Sequence, residues 1–155
     1  MKIKSLLELK RIIDKLKKKD KKIVFTNGCF DLLHPGHIYY LKAARKKGDI
    51  LILGLNSDSS VRKLKGKGRP LIPERERAEI LSNLECVDYI SIFQEETPER
   101  LIREISPDIL VKGGDYRRKE VVGRKFVEEK GGKVIIIPFL KGYSTTKLIK
   151  KIKRL

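Results

Sequence analysis

Both histidines of the chain, His34 and His37, fall in one stretch, Thr26-Asn-Gly-Cys-Phe-Asp-Leu-Leu-His-Pro-Gly-His37. They flank Pro35-Gly36, directly behind the apolar run Lys22-Ile-Val-Phe25. Proline is favoured at the first helical position, so Pro35 marks a helix start. Residues three apart share a helix face, which puts both imidazoles on the first turn. The unpaired N–H groups and the dipole of such a turn favour an anion. Two imidazoles beside it can donate hydrogen bonds to phosphoryl oxygens, and a bound anion favours their charged form. Gly36 leaves room for close backbone approach. The chemistry indicated is phosphate binding, in preference to a pair of incidental helix-cap histidines. Cys29 and Asp31 lie nearby, but catalytic zinc is not expected from this set.

Two other phosphate motifs are missing. No G-x-x-x-x-G-K-[ST] occurs, and Gly66-Lys-Gly-Arg-Pro-Leu71 lacks the third glycine of a dinucleotide fingerprint and follows a loop.

The elements that must position the histidines follow from periodicity. Leu6, Leu9, Ile12, Ile13 and Leu16 form one helical stripe over 5–19. Strands are expected over 22–26, 49–56, 87–93, 108–113 and 133–139, and further helices over 35–48, 74–84, 97–105, 119–130 and 144–154. The segment 57–73 reads as a loop rich in Gly, Pro and cations, and Thr97 as the cap of the helix that follows it. Such alternation specifies an α/β, Rossmann-like parallel sheet with helices on both faces. One domain is expected over 1–155, with an N-terminal amphipathic helix in 1–20 and the core in 21–155. In open parallel sheets ligands bind beyond the carboxyl ends of the strands. The unusual polar stretches here do follow strands.

Composition narrows the class. The chain has 155 residues and a formal net charge of +17, which favours an anionic ligand or a lysine-rich solvated surface of thermophile type. No apolar run approaches the roughly 20 residues of a membrane span. The basic N-terminus has no signal-peptide pattern, and Cys29 and Cys86 match no disulfide or metal framework. A reduced, cytoplasmic protein is expected, without membrane attachment. A basic nucleic-acid-binding module is a distant alternative, disfavoured by few aromatics and the absence of Trp.

The stretch from Thr26 to His37 resembles the H-x-G-H nucleotidyltransferase superfamily, which includes cytidylyltransferases and adenylyltransferases. The stretches Gly54–Arg77, Ile109–Tyr116 and Gly142–Ile152 match as well, and Asn56–Pro70 together with Val111–Tyr116 narrows the resemblance to the D-glycero-β-D-manno-heptose 1-phosphate adenylyltransferases, the ADP-heptose synthases. That resemblance implies AMP transfer from ATP to the sugar phosphate, with pyrophosphate released and Mg²⁺ bridging phosphate oxygens. It implies catalytic roles for His34, His37 and Lys46. Nucleotide contacts are implied for Thr26, Asn27, Gly28, Phe30, Asp31 and Gly36, for Lys112, Gly113 and Asp115, and for Ser144, Thr145 and Thr146. Asn56, Asp58, Lys65, Arg69 and Arg77 are expected to bind the acceptor.

Related glycerol-3-phosphate cytidylyltransferases have an arginine three residues before the glycine of the last motif. Here that residue is Phe139, which favours the heptose group. A glycerol-3-phosphate cytidylyltransferase or an FMN adenylyltransferase is the alternative within the superfamily. With no kinase domain in the chain, a separate heptose kinase is expected upstream. The leading helix is expected to serve packing or a homodimer contact.

Overall fold

The computed structural model describes residues 1–155 except 115, 116, 118 and 119. Asp115 therefore lies outside the described residues. Five parallel strands, β1 (Ile23–Gly28), β2 (Ile50–Asn56), β3 (Tyr89–Phe93), β4 (Ile109–Gly113) and β5 (Lys133–Ile137), form one sheet of order β3-β2-β1-β4-β5. All the pairings are parallel, with Ile23 opposite Ile50 and Val24 opposite Ile109. Strand order reverses between β1 and β4, the point at which open parallel sheets bind ligands in the crevice beyond the strands' carboxyl ends.

The strands read as near-continuous apolar runs because both faces are covered. Side chains alternate along a strand, so Val24, Leu51, Leu53 and Leu55 bury on one face with Leu41 and Ala44 of α2 (Pro35–Arg45) and Ala78 and Leu81 of α4 (Glu74–Ser82). Ile23, Phe25 and Ile52 bury on the other face. There they meet Leu9 and Ile13 of α1 (Leu6–Lys17), Ile102 and Ile105 of α5 (Glu99–Ile105) and Val127 of α6 (Arg124–Glu129). Ser5 and Glu8 form a reciprocal capping box that starts α1. Residues Lys2–Lys4 run along the outer edge of β3, with the Lys4 N–H donating to the Ile90 carbonyl at 2.9 Å.

Several expectations are corrected. The expected loop 57–73 holds a helix, α3 (Asp58–Lys65), capped by Ser57 and carrying Arg62, Lys63 and Lys65 in its last turn, where cations suit the dipole. The glycine and proline signals apply only to the segment behind it. Thr97 does not cap α5, which begins at Glu99 behind Pro98 with no side-chain cap. The expected helix 119–130 starts only at Arg124, behind Gly123 at φ 84°, with residue 119 outside the described residues, and β5 ends at Ile137, two residues early. The last helix, α7, runs Thr145–Ile152 behind Ser144.

Candidate active site

At the crevice, β1 leads into the loop 29–34, which turns sharply. Phe30 (φ 47°) and Leu32 (φ 53°) both adopt the left-handed region, an uncommon and costly conformation for such side chains. The turn buries Phe30 against Gly28, where a Cβ would stand 2.7 Å from the Phe30 ring, and it delivers His34 to the start of α2.

There the two histidines cap the helix reciprocally. The Gly36 N–H donates to His34 Nδ1 at 3.1 Å, and the His34 N–H donates to His37 Nδ1 at 3.2 Å. The rings stack with centroids 3.8 Å apart. Each Nδ1 is therefore an acceptor, so the proton of each neutral ring lies on Nε2. Burial pushes the His37 pKa down to about 4, with the neighbouring His34 adding to the effect, and burial lowers His34 as well. The pair is neutral at physiological pH in the unliganded protein.

This geometry corrects the expected use of the helix start. Pro35 has no N–H, that of Gly36 is taken by His34, and that of His37 goes to the His34 carbonyl at 2.9 Å. The donors that α2 can offer an anion are imidazole Nε2–H groups, not backbone amides. Gly36 is needed for packing, since a Cβ there would stand 2.9 Å from the His34 ring and 3.1 Å from Tyr143 Cβ.

The start of α7 lies against the same loop. Thr145 Oγ1 donates to the Asp31 carbonyl at 3.0 Å, and the Tyr143 ring stacks over His34 at 6.3 Å. Ser144 Oγ accepts from the Lys147 N–H. The N–H groups of Thr145 and Thr146 in the first turn have no intrahelical partner. The imidazole pair and the serine–threonine turn thus share one rim of the sheet.

Two acidic and two basic residues of the expected site are turned inward. The Asp31 carboxylate accepts from Arg69 Nε at 2.8 Å and from the N–H groups of Leu71 and Ile72. Burial alone would raise its pKa, but these donors outweigh it and hold the group below the usual carboxylate range. Arg77 is 1% exposed. Its guanidinium donates to the carbonyls of Ile72, Cys29 and Asn56 and to Asp58 Oδ1. Asn56 Nδ2 donates to Ser60 Oγ. Arg77, Asn56 and Asp58 therefore brace the crevice wall in place of facing an acceptor. The Thr26 hydroxyl is likewise buried, bonded to Tyr40 Oη, which also donates to the Val111 carbonyl.

Lys46 is a correction of a different kind. It is the C-cap of α2, while His34 is the N-cap. The 11 residues between them at 1.5 Å each span about 16 Å. Lys46 lies at the far end of the helix from the imidazoles and cannot share an anion with them. Cations do reach the crevice from elsewhere. Lys112, on β4, is half-buried with its pKa lowered by burial, and Lys65 lies close enough to repel it and to stabilise the Cys29 thiolate. Burial nevertheless pushes the Cys29 thiol up. Asn27, Gly113 and Gly114 complete the rim. Tyr143, Tyr40 and the position of Phe139 were not foreseen. A lone aromatic carries no sequence signal for the ring or backbone that it will lie on.

Among the described residues, no group of three or more His, Cys, Asp and Glu side chains is disposed to hold a metal ion, and the nearest carboxylate, Asp31, is fully engaged. A divalent ion does not fit a protein cage here. No described helix is long and apolar enough to cross a membrane.

Comparison with known proteins is consistent with this geometry. Residues 25–151 match the family described as Cytidylyltransferase-like. The chain is 58% identical over 153 residues to a protein named Bifunctional protein HldE from Geobacter metallireducens, covering 99% of this chain and 31% of that one. The Helicobacter pylori protein of the same name is 52% identical over 149 residues, 96% of this chain and 31% of that one. The chain thus spans about a third of the length of the curated relatives it matches. A solved lipopolysaccharide core biosynthesis protein from Thermoplasma volcanium is 33% identical with a TM-score of 0.65, covering 80% of this chain and 99% of that one. A pantoate-beta-alanine ligase from Francisella tularensis shares the fold at 17% identity and a TM-score of 0.63, over 100% of this chain and 78% of that one.

Proposed function

The chain belongs to the cytidylyltransferase-like family, and from that premise we propose that it transfers AMP from ATP to D-glycero-β-D-manno-heptose 1-phosphate, giving ADP-heptose and pyrophosphate. The carrying observation is the stacked His34–His37 pair, with both Nδ1 atoms satisfied inside the protein, beside the open first turn of α7. Its Nε2–H groups and the Thr145 and Thr146 N–H groups would serve one triphosphate, a reading supported by the Thr145 bond to the histidine loop and by Tyr143 stacked on His34.

The acceptor phosphate oxygen attacks the α-phosphorus. The new P–O bond forms as the α–β bridging bond breaks, and the electron pair leaves on pyrophosphate. The acceptor is already anionic, so no general base is needed, and catalysis is alignment and charge stabilisation. His34 and His37 donate to phosphoryl oxygens in line with the broken bond. Lys65 and Lys112 neutralise charge from the opposite wall, and the α7 turn holds the terminal phosphates. A Mg²⁺ ion travelling with the nucleotide would add charge neutralisation through phosphate and water ligands. The heptose reading is supported by the high identity to the bifunctional relatives and by Phe139 at the position that is arginine in the related glycerol-3-phosphate cytidylyltransferases. A sugar kinase must supply the acceptor, and we place the reaction in the cytoplasm, with a homodimer as the working form.

The test is a panel of ATP and CTP against heptose 1-phosphate, glycerol 3-phosphate and FMN, read as pyrophosphate release. Turnover confined to ATP with heptose 1-phosphate is expected. Turnover with CTP and glycerol 3-phosphate instead would replace this reading.

A further inference from the structure

Phe139 is 65% exposed, against 46% for neighbouring Tyr143. It follows β5 on the loop toward α7. It does not dangle, because its ring lies on the backbone of Gly113 and Gly114. A Cβ added to Gly114 would collide with Phe139 Cε2 and Cζ, and one added to Gly113 would stand 3.5 Å from Cε1. Gly114 has φ +86° and donates its N–H to the Ile137 carbonyl at 2.9 Å, which fixes the glycine pair as a flat floor across the ends of β4 and β5. The direction of the missing Gly113 Cβ also meets Tyr40 of α2 at 3.0 Å. The phenyl ring thus lies on the same side of the sheet as α2 and its histidines, at the β1–β4 reversal of strand order.

An apolar ring with one face on glycine backbone and most of its surface in water is poorly used by the fold. It suits a flat aromatic partner on its open face. We propose that Phe139 is the base-stacking and base-selecting residue of this enzyme, with the nucleotide base laid against its ring. This rests on the nucleotide-transfer reading above. A phenyl ring offers a π-face and no hydrogen-bond donor. Stacking rewards ring area, so the residue favours a purine over a pyrimidine, and it supplies nothing to pair with the carbonyl and ring nitrogen of cytosine.

The test separates base from phosphate. Calorimetry on the full chain measures binding of ATP, CTP and inorganic pyrophosphate to wild type, Phe139→Ala and Phe139→Trp. Phe139→Ala is expected to weaken ATP about 10-fold, narrow the ATP-to-CTP ratio and leave pyrophosphate affinity unchanged, while Phe139→Trp restores ATP binding. Equal ATP affinity in wild type and Phe139→Ala would overturn the proposal, as would a parallel loss of pyrophosphate binding. The acceptor reading fails separately: wild type that binds ATP through Phe139 but releases no pyrophosphate with heptose 1-phosphate leaves the base assignment standing and removes the acceptor.

Discussion

The hydroxyl of Thr145 donates to the main-chain carbonyl of Asp31 at 3.0 Å, joining segments 114 residues apart. This bond pins the start of α7 to the loop that carries the histidines. Asp31 is thereby a shared anchor, because its carboxylate ties down Arg69 and the N–H groups of Leu71 and Ile72.

Thr145→Val keeps the shape and removes the donor. It should cost about 1 kcal/mol of stability and raise KM for ATP while leaving KM for the acceptor nearly unchanged. Urea unfolding and initial-rate kinetics check both. An equal rise in the two KM values would contradict the anchor role.

His37→Ala should lower kcat by about 100-fold or more with the fold retained. The ring is neutral because its pKa in the fold is about 4, below its ordinary 6.5. A depressed folded pKa means that the unfolded chain takes the proton first. The stabilisation is therefore complete above pH 6.5 and is lost as pH falls toward about 4. Urea unfolding at stepped pH should show that decline in wild type and a shallower one in His37→Gln. Ring nitrogen chemical shifts at pH 7 should report Nδ1 unprotonated in both histidines.

Asp31→Ala would leave the half-buried Arg69 guanidinium and the N–H groups of Leu71 and Ile72 without their acceptor. A destabilisation of about 3 kcal/mol is expected, with the larger kinetic effect on the acceptor because the freed segment carries Arg69. Denaturant midpoints and acceptor KM are the measurements.

Arg77→Lys should cost about 3 kcal/mol, because one ammonium cannot reproduce bonds to three carbonyls and a carboxylate. Its mark is a lowered Tm before any change in acceptor KM. An acceptor KM raised tenfold at unchanged Tm would return Arg77 to the binding surface.

Lys46→Ala should leave kcat and both KM values within about twofold, since surface changes away from a site are nearly neutral. A large loss of turnover would mean that α2 does not hold Lys46 at its far end.

Most of the fold was legible because it follows from local chemistry. Runs such as Leu51–Leu55 announce strands covered on both faces, and Pro35 with the glycine at 48 brackets a helix. The pairing of His34 with His37 was legible for the same reason, as was the placing of Ser144–Thr146 on their side of the sheet, since both stretches follow strands. What stayed hidden depends on distance in three dimensions. Nothing around Arg77 or Asp31 signals that their charges turn inward to partners as far as 48 and 41 residues away. Lys46 misled because nearness along the chain becomes separation once a helix intervenes. The helix α3 was masked by the glycines and prolines directly behind it, which belong to the next turn.

Gly66 and Gly68 stand at positive φ with open space around them, between a helix end at Lys65 and the Asp31-bound Arg69. That tip is fastened on both sides and supports nothing beneath it. Open space does not free the two glycines, because any other residue would be strained at their backbone angles; the exposed Lys67 between them is the position where the tip can change its charge or reach without disturbing what it is fastened to.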